Sequence, residues 1–277
     1  TYRGIFVAMK SFKMGAISDE ERAVIVDAVK KECELMKKLR NPYIIGYIGS
    51  ITYIPQISVV MQYAMYDSLD NYCRKPPQGV VLPLKLKMRM LKDVSKGMDF
   101  LHENSIMHLD LKPDNILVCS LSSSSDAVAR ITDFGTSRIK QNRDKGLGTP
   151  LYLAPETYND DYRYESDVYS FAITAWELFY ETEPYSEFRD MFAVKQFVLE
   201  GNRLPLKEPI PQGLKEVIMM CWEQLPERRP KFSVVASKMS DLVNSLDETN
   251  SPYDDTVDNS VIHDIIEKKK KLMEEMI

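Results

Sequence analysis

The feature that most limits what this chain can fold into is a change of periodicity near Tyr63. Before it, the runs Ile5 to Met9 and Ile57 to Tyr63 are rich in β-branched and apolar residues and read as strands. Between them, Val24, Ala28, Leu35 and Leu39 recur near helical spacing from Asp19 onward, until Asn41-Pro42 ends the pattern. After it, Leu84 to His102, Val168 to Tyr180, Arg189 to Leu199, Leu214 to Gln224 and Phe232 to Leu246 read as helices. Two short strand-like pieces, Ile116 to Cys119 and Arg130 to Thr132, flank Ser122 to Ser125, expected to be a solvated turn. The pattern predicts an α+β chain of two lobes: a small β-rich one over residues 1–63 and a larger helical one over 64–246. Residues 247–277 form a polar linker and a terminal amphipathic helix.

The 277 residues suffice for two such lobes. A net charge of −5 argues against a general binder of nucleic acid or membrane surfaces. Cys33, Cys73, Cys119 and Cys221 are scattered with no CxxC pair, which reads as reduced thiols of an intracellular, cytoplasmic protein. No apolar run approaches the roughly 20 residues that cross a bilayer; Val168 to Phe179 is too short and contains Glu177. The chain opens on Thr1 without a methionine and is expected to be a fragment, so a membrane-anchored parent stays open. Thr1 to Phe6 and Val7 to Lys10 read as two abutting strands with no turn chemistry between them. Either the hairpin is unusual or residues are missing from the numbering; the second is favoured.

Chemistry concentrates in His108-Leu109-Asp110-Leu111-Lys112-Pro113-Asp114-Asn115, followed eighteen residues after Asn115 by Asp133-Phe134-Gly135. Phosphoryl transfer from ATP needs a carboxylate to orient the attacking hydroxyl, oxygen ligands for Mg²⁺, and a cation against the charge of the moving group. Asp110 can be that carboxylate and Lys112 that cation, while Asn115 and Asp133 carry hard oxygens suited to Mg²⁺. Turn formation alone would explain either motif singly, but not both in this order.

With Ala154-Pro155-Glu156 downstream, these residues resemble the eukaryotic protein kinase family over roughly residues 1–245. The resemblance implies a bilobal kinase fold, ATP and Mg²⁺ as cofactors, and protein substrates. It makes Lys10, in Val7-Ala8-Met9-Lys10, the lysine of the α/β-phosphates, with Glu32 as its partner on the helix. The competitor Glu34 lies two residues on, about 200° round a helix. Val59 to Ala64 resembles the strand and hinge beside adenine. Backbone groups of Gln62 and Ala64 then pair with the base, Met61 guards the deeper pocket, Ser68 approaches the ribose, and Ala8 and Leu117 sandwich the ring. Gly146 to Glu156 resembles the end of an activation segment. Thr149 is expected near Asp110 and Lys112, Glu156 to pair with Arg229, and Asp167 to hold the catalytic-loop backbone that includes His108.

Asp110-Leu-Lys112 and Gly148-Thr149-Pro150 are similar to serine/threonine enzymes; Asp67-Ser68-Leu69, Asp133 to Arg138 and Cys221-Trp222 with Arg229 to Phe232 are similar to the tyrosine-kinase-like group. Dual specificity stays open. The family's phosphate-covering glycine loop is not found, Leu109 stands where an arginine is usual, and Arg138 to Leu147 is short and polar. Leu109 implies weak dependence on an activation-segment phosphate. The competing reading, an ATP-binding pseudokinase acting as a scaffold or allosteric module, is disfavoured because no charge-handling position is vacated. In the tail, Ile262, Ile265, Ile266, Leu272, Met273, Met276 and Ile277 recur at helical spacing from a capping Asn259. Packing on its own domain is favoured over a partner-binding role for that helix.

Overall fold

A computed structural model describes residues 1–12, 18–53, 56–139, 146–248 and 257–275. Its amino-terminal layer is a three-stranded antiparallel sheet of β1 (Val7–Phe12), β2 (Tyr47–Tyr53) and β3 (Gln56–Gln62), in the order β1-β3-β2. Helix α1 (Asp19–Lys38) packs on this sheet. It starts in a capping box: the Glu21 amide donates to Ser18 Oγ at 3.2 Å, and the Ser18 amide to Glu21 Oε2 at 2.8 Å. Its buried positions, Val29, Glu32, Cys33 and Met36, follow the one-face spacing of a helix and put a carboxylate into the buried stripe.

The strand expected over Thr1 to Phe6 is absent. Residues 2–5 close a tight turn instead, with the Tyr2 and Ile5 backbones bonded to each other at 2.8 and 3.0 Å. Arg3 and Gly4 take left-handed φ values of 51° and 78° there, so the chain enters β1 from a turn rather than from a strand. Strand β2 was not anticipated, although Tyr47-Ile-Gly-Ser-Ile-Thr-Tyr53 has the residue types of a strand.

The remainder is mostly helical: α2 (Asp70–Cys73), α3 (Leu84–Glu103), α4 (Tyr164–Tyr180), α5 (Met191–Leu199), α6 (Gln212–Cys221), α7 (Phe232–Glu248) and α8 (Asn259–Glu275). Ser166 to Phe179 are all buried, so α4 is the central post of this part. Four short strands pair in this part, β4 (Ile106–Met107) with β7 (Arg138–Ile139) and β5 (Ile116–Val118) with β6 (Ala129–Ile131), and β4 and β6 pack against α3. The two layers join where the segment before β2 pairs with β6: the Ile45 amide donates to Ile131 O, and the Ile131 amide to Tyr43 O, both at 2.9 Å. Residues 122–125 do turn, with Ser124 exposed, while Ser123 is buried and Arg89 Nη2 donates to Ser125 O at 2.6 Å, so the solvated turn is also pinned to α3.

The tail helix α8 lies on its own domain through Val261, Ile262 and Ile265. Its cap is Asp258, whose Oδ1 accepts the Ser260 amide at 2.8 Å, rather than Asn259. Positions 140–145, most of the linker, Met276 and Ile277 lie outside the described residues. No helix among the described residues is long and apolar enough to cross a membrane.

Helix α3 meets β6 at Gly97, where an added Cβ would fall 2.8 Å from Ile131 Cδ1 and 3.1 Å from Tyr43 O. Gly97→Val is therefore expected to cost about 1–3 kcal/mol by overpacking, despite leaving the poor helix former glycine. Chemical denaturation checks this; an unchanged midpoint would contradict the close contact.

Candidate active site

Lys10 and Ala8 share one face of β1, two residues apart, with Ala8 opposite Met61 and Lys10 opposite Val59 on β3. From there Lys10 Nζ reaches Asp133 Oδ1 at 2.7 Å and Glu32 Oε1 at 3.2 Å. Glu34, the competing partner, is exposed and pairs with Lys37 at 2.5 Å. Burial works against the charge on Lys10, but the Asp133 hydrogen bond and charge, helped by Glu32, raise its pKa above the ordinary value. Asp133 is lowered, because Lys10 and the Gly135 amide outweigh its burial. Glu32 goes the other way: desolvation of its buried carboxyl exceeds the pull of Lys10, and Asp133 adds like charge, so its pKa is raised.

The segment after β4 carries His108, Leu109 and Asp110. Asp167, fully buried near the start of α4, accepts the His108 amide at 2.9 Å, the Leu109 amide at 2.7 Å and His102 Nε2 at 2.9 Å. Leu109 itself sits at φ 65°, a left-handed conformation that a branched side chain adopts only when its surroundings impose it. His108 Nδ1 accepts the Asp110 amide at 3.3 Å and its Nε2 lies 3.0 Å from Thr132 O, which fixes the tautomer protonated at Nε2. Phe134 stacks edge-on against the same ring, with centroids 5.6 Å apart.

Asp110 is held from three sides. Thr149 Oγ1 donates to Oδ1 at 2.6 Å, Asn115 Nδ2 to Oδ2 at 2.9 Å, and Lys112 Nζ approaches Oδ2 at 3.2 Å. Lys112 also donates to Thr149 Oγ1 at 2.7 Å, closing a ring of hydrogen bonds. Gly148, at φ 91°, permits this approach, since a Cβ there would fall 2.7 Å from Leu109 O. Asn115 spends its amide on Asp110, and Asp133 uses Oδ1 for Lys10 and Gly135. Asn115 Oδ1 and Asp133 Oδ2 thus keep no partner among the described residues, and two hard oxygens on adjoining segments fit Mg²⁺ shared with phosphate. Thr132 ties the segments together, its amide donating to Asn115 O at 2.9 Å.

At the edge of β3, the Gln62 amide is taken up by Gly46 O at 2.8 Å. The Ala64 amide has no partner among the described residues. Ser68 bridges to Leu117 on β5, which lies below, and Met61 is buried against Thr132. Farther off, Glu156 takes Arg229 in a two-pronged pair at 2.8 and 2.9 Å, with the Arg229 side chain fully buried. Ser166 Oγ donates to Glu156 at 2.7 Å, and Arg229 to Glu165 O at 2.9 Å, so this pair braces the start of α4.

Two groups went unforeseen. One is His102, the third donor to Asp167. The other is a buried knot in which Arg74 Nε and Tyr152 Oη donate to Glu177 at 2.8 and 2.5 Å. The knot joins residues 103 positions apart, and no local spacing announces it. Burial raises the Glu177 pKa despite both donors.

A family profile described as protein tyrosine and serine/threonine kinase matches residues 2–239. The chain belongs to that family. It is 33% identical over 265 residues to a probable serine/threonine-protein kinase of Dictyostelium discoideum, covering 88% of this chain and 17% of that protein. The probable serine/threonine-protein kinase gdt4 of the same organism is 32% identical, covering 89% and 15%. The dual specificity protein kinase shkB is 33% identical, covering 85% and 36%. This kinase domain therefore spans well under half the length of the relatives it matches. The fold is the bilobal kinase fold, with its small sheet layer and larger helical lobe.

Glu156→Gln leaves the buried Arg229 guanidinium without its charge partner and is expected to cost about 3–5 kcal/mol of stability. Thermal or urea unfolding reads this directly; a change below about 1 kcal/mol would mean the pair is dispensable.

Proposed function

We propose that this domain transfers the γ-phosphate of ATP to serine and threonine hydroxyls of protein substrates in intracellular signalling, as an enzyme of the tyrosine-kinase-like group. The single observation carrying this reading is the complete hydrogen-bonded set of Asp110, Lys112, Asn115 and Thr149, tied through Thr132 to Asp133, Lys10 and Glu32. Residues 1–63 are the small lobe, 64–246 the large lobe, and 247–277 the linker and tail helix; own-domain packing of that helix is favoured over a role in partner binding. Four cysteines without disulfides accord with an intracellular setting.

In this reading the adenine edge pairs with the Gln62 carbonyl and the Ala64 amide, its faces lie between Ala8 and Leu117, and Met61 limits its depth. Ser68 stands by the ribose. Lys10, oriented by Glu32, meets the α/β-phosphates. Asn115 Oδ1 and Asp133 Oδ2 would hold Mg²⁺, which when bound would supply positive charge to the phosphate oxygens. Asp110 orients the acceptor hydroxyl and takes its proton, while Lys112 offsets charge on the moving phosphoryl group. His108, Phe134 and Gly135 keep the two loops in register, and Asp167, Glu156 and Arg229 keep the loops on α4. Threonine next to Asp110 and Lys112 favours serine and threonine acceptors, and shkB, named as dual specificity, keeps tyrosine as a second acceptor to be measured.

Radiolabelled ATP with a generic protein substrate, comparing wild type with Asp110→Ala, tests the reading. Wild type is expected to label serine and threonine, and the variant to lose about 10³-fold or more while retaining nucleotide binding. Equal labelling by both would favour the scaffolding alternative.

Leu109 is buried and cannot pair with a phosphate, so activity is expected to depend little on phosphorylation of the activation segment. Phosphatase treatment of the purified enzyme should leave kcat within about twofold. A fall of about tenfold or more would contradict this.

A further inference from the structure

The tail helix α8 is not merely packed on the large lobe; it grips the segment that leaves the hinge. Lys269 Nζ sits 2.5 Å from both carboxylate oxygens of Asp67. Asp67 is a structural pivot, with φ 62°, a left-handed conformation that aspartate tolerates better than most residues. Its carbonyl accepts the Val118 amide at 2.8 Å, and the Leu69 amide donates to Ile116 O at 2.7 Å. Residues 67–69 thus form a strip laid along β5, with Ser68 bridged to Leu117. One face of this strip touches the tail; the other borders the nucleotide position assigned above.

The seat beneath α8 is incomplete. Val257 is buried and its amide donates to Leu121 O at 3.1 Å, and Val261 packs beside Gly79. Between these anchors and Leu272 lies a cavity of about 400 Å³ walled by Tyr66, Tyr72, Pro77 and Ile265. Apolar contact therefore holds the beginning of α8, while its later turns depend on the Lys269–Asp67 pair. The remaining charges around the cavity are Asp264 and Lys268, and neither has an ion-pair partner among the described residues.

We propose that Lys269 is a positioning residue for nucleotide binding. Through Asp67 it holds the 67–69 strip against β5 and so sets the ribose-side edge and floor of the adenine site. A seated tail lowers KM for ATP and leaves kcat unchanged; a lifted tail raises KM. This rests on the reading that Ser68 and Leu117 border the nucleotide.

The test uses the full chain and four variants: Lys269→Ala, Lys269→Arg, Asp67→Asn (which keeps a residue tolerant of left-handed φ) and the double variant Asp67→Asn with Lys269→Ala. Calorimetric Kd for ADP, KM for ATP and kcat are measured on each. For a partly exposed pair, Lys269→Ala and Asp67→Asn should each raise Kd and KM by roughly two- to fivefold at constant kcat. Lys269→Arg should restore wild-type values, and the double variant should be no worse than either single one. Unchanged Kd in Lys269→Ala, additive effects in the double variant, or a fall in kcat at constant KM would each overturn the proposal. If wild type itself bound no ADP, the nucleotide-site reading would fail and this proposal with it; normal wild-type binding with indifferent variants would overturn the tail's role alone.

Discussion

The carboxylate of Asp167 is the fixed point of the site. It is fully buried, and a buried carboxylate is tolerable only when its lone pairs are filled. Here the His108 amide, the Leu109 amide and the His102 ring fill them, at 2.7 to 2.9 Å. Hydrogen bonds to an ionised acceptor are the stronger kind, roughly 1.5–3 kcal/mol each. That is enough to hold Leu109 in a left-handed conformation costing of order 1–3 kcal/mol. The turn at Leu109 in turn directs Asp110 toward Thr149, Lys112 and Asn115.

Everything around α4 protects that fixed point. Arg229 and Glu156 brace its first turn, and the Arg74–Tyr152–Glu177 knot locks its last turn against the C-cap of α2 and the activation segment. The small lobe contributes a different kind of group. Lys10 is shared between Glu32 on α1 and Asp133 from the large lobe, so one cation adds a charged tie to the backbone pairing that joins the two layers. Asp133 is drawn toward its charged form, whereas buried Glu32 is pushed toward neutrality, so lowering the pH loosens the α1 contact before the Asp133 contact.

Much of this was legible in the residues because the chemistry is local. The loop from His108 to Asn115 and the Asp133-Phe134-Gly135 turn pack several polar types into a few positions, and the long helices announce themselves by apolar spacing. The resemblance pointed to Glu32, helix geometry said that Glu34 faces the other way, and in the fold Glu32 occupies the buried stripe while Glu34 faces out to Lys37. What stayed hidden was non-local or conformational. The Arg74–Glu177 contact spans 103 residues. The turn at residues 2–5 depends on left-handed Arg3, which no residue preference foretells, and β2 went unread because Gly49 interrupts its run. Asp258 displaced Asn259 as the cap of α8 because both are good capping residues and only the approach of the linker decides between them.

The claim on which the account depends is that α4, through Asp167, imposes the catalytic-loop geometry. Asp167→Asn keeps the shape of the side chain but puts an NH₂ in place of one acceptor oxygen, facing either the Leu109 amide or the His108 amide and His102 ring. With folding verified by a cooperative melt, the measurement is kcat alongside the calorimetric Kd for ADP. The expected result is a fall of about 10²-fold or more in kcat with Kd unchanged, since a small misplacement of the loop disturbs chemistry before nucleotide binding. A folded Asp167→Asn protein with near wild-type kcat, or one losing nucleotide affinity in step with kcat, would contradict it.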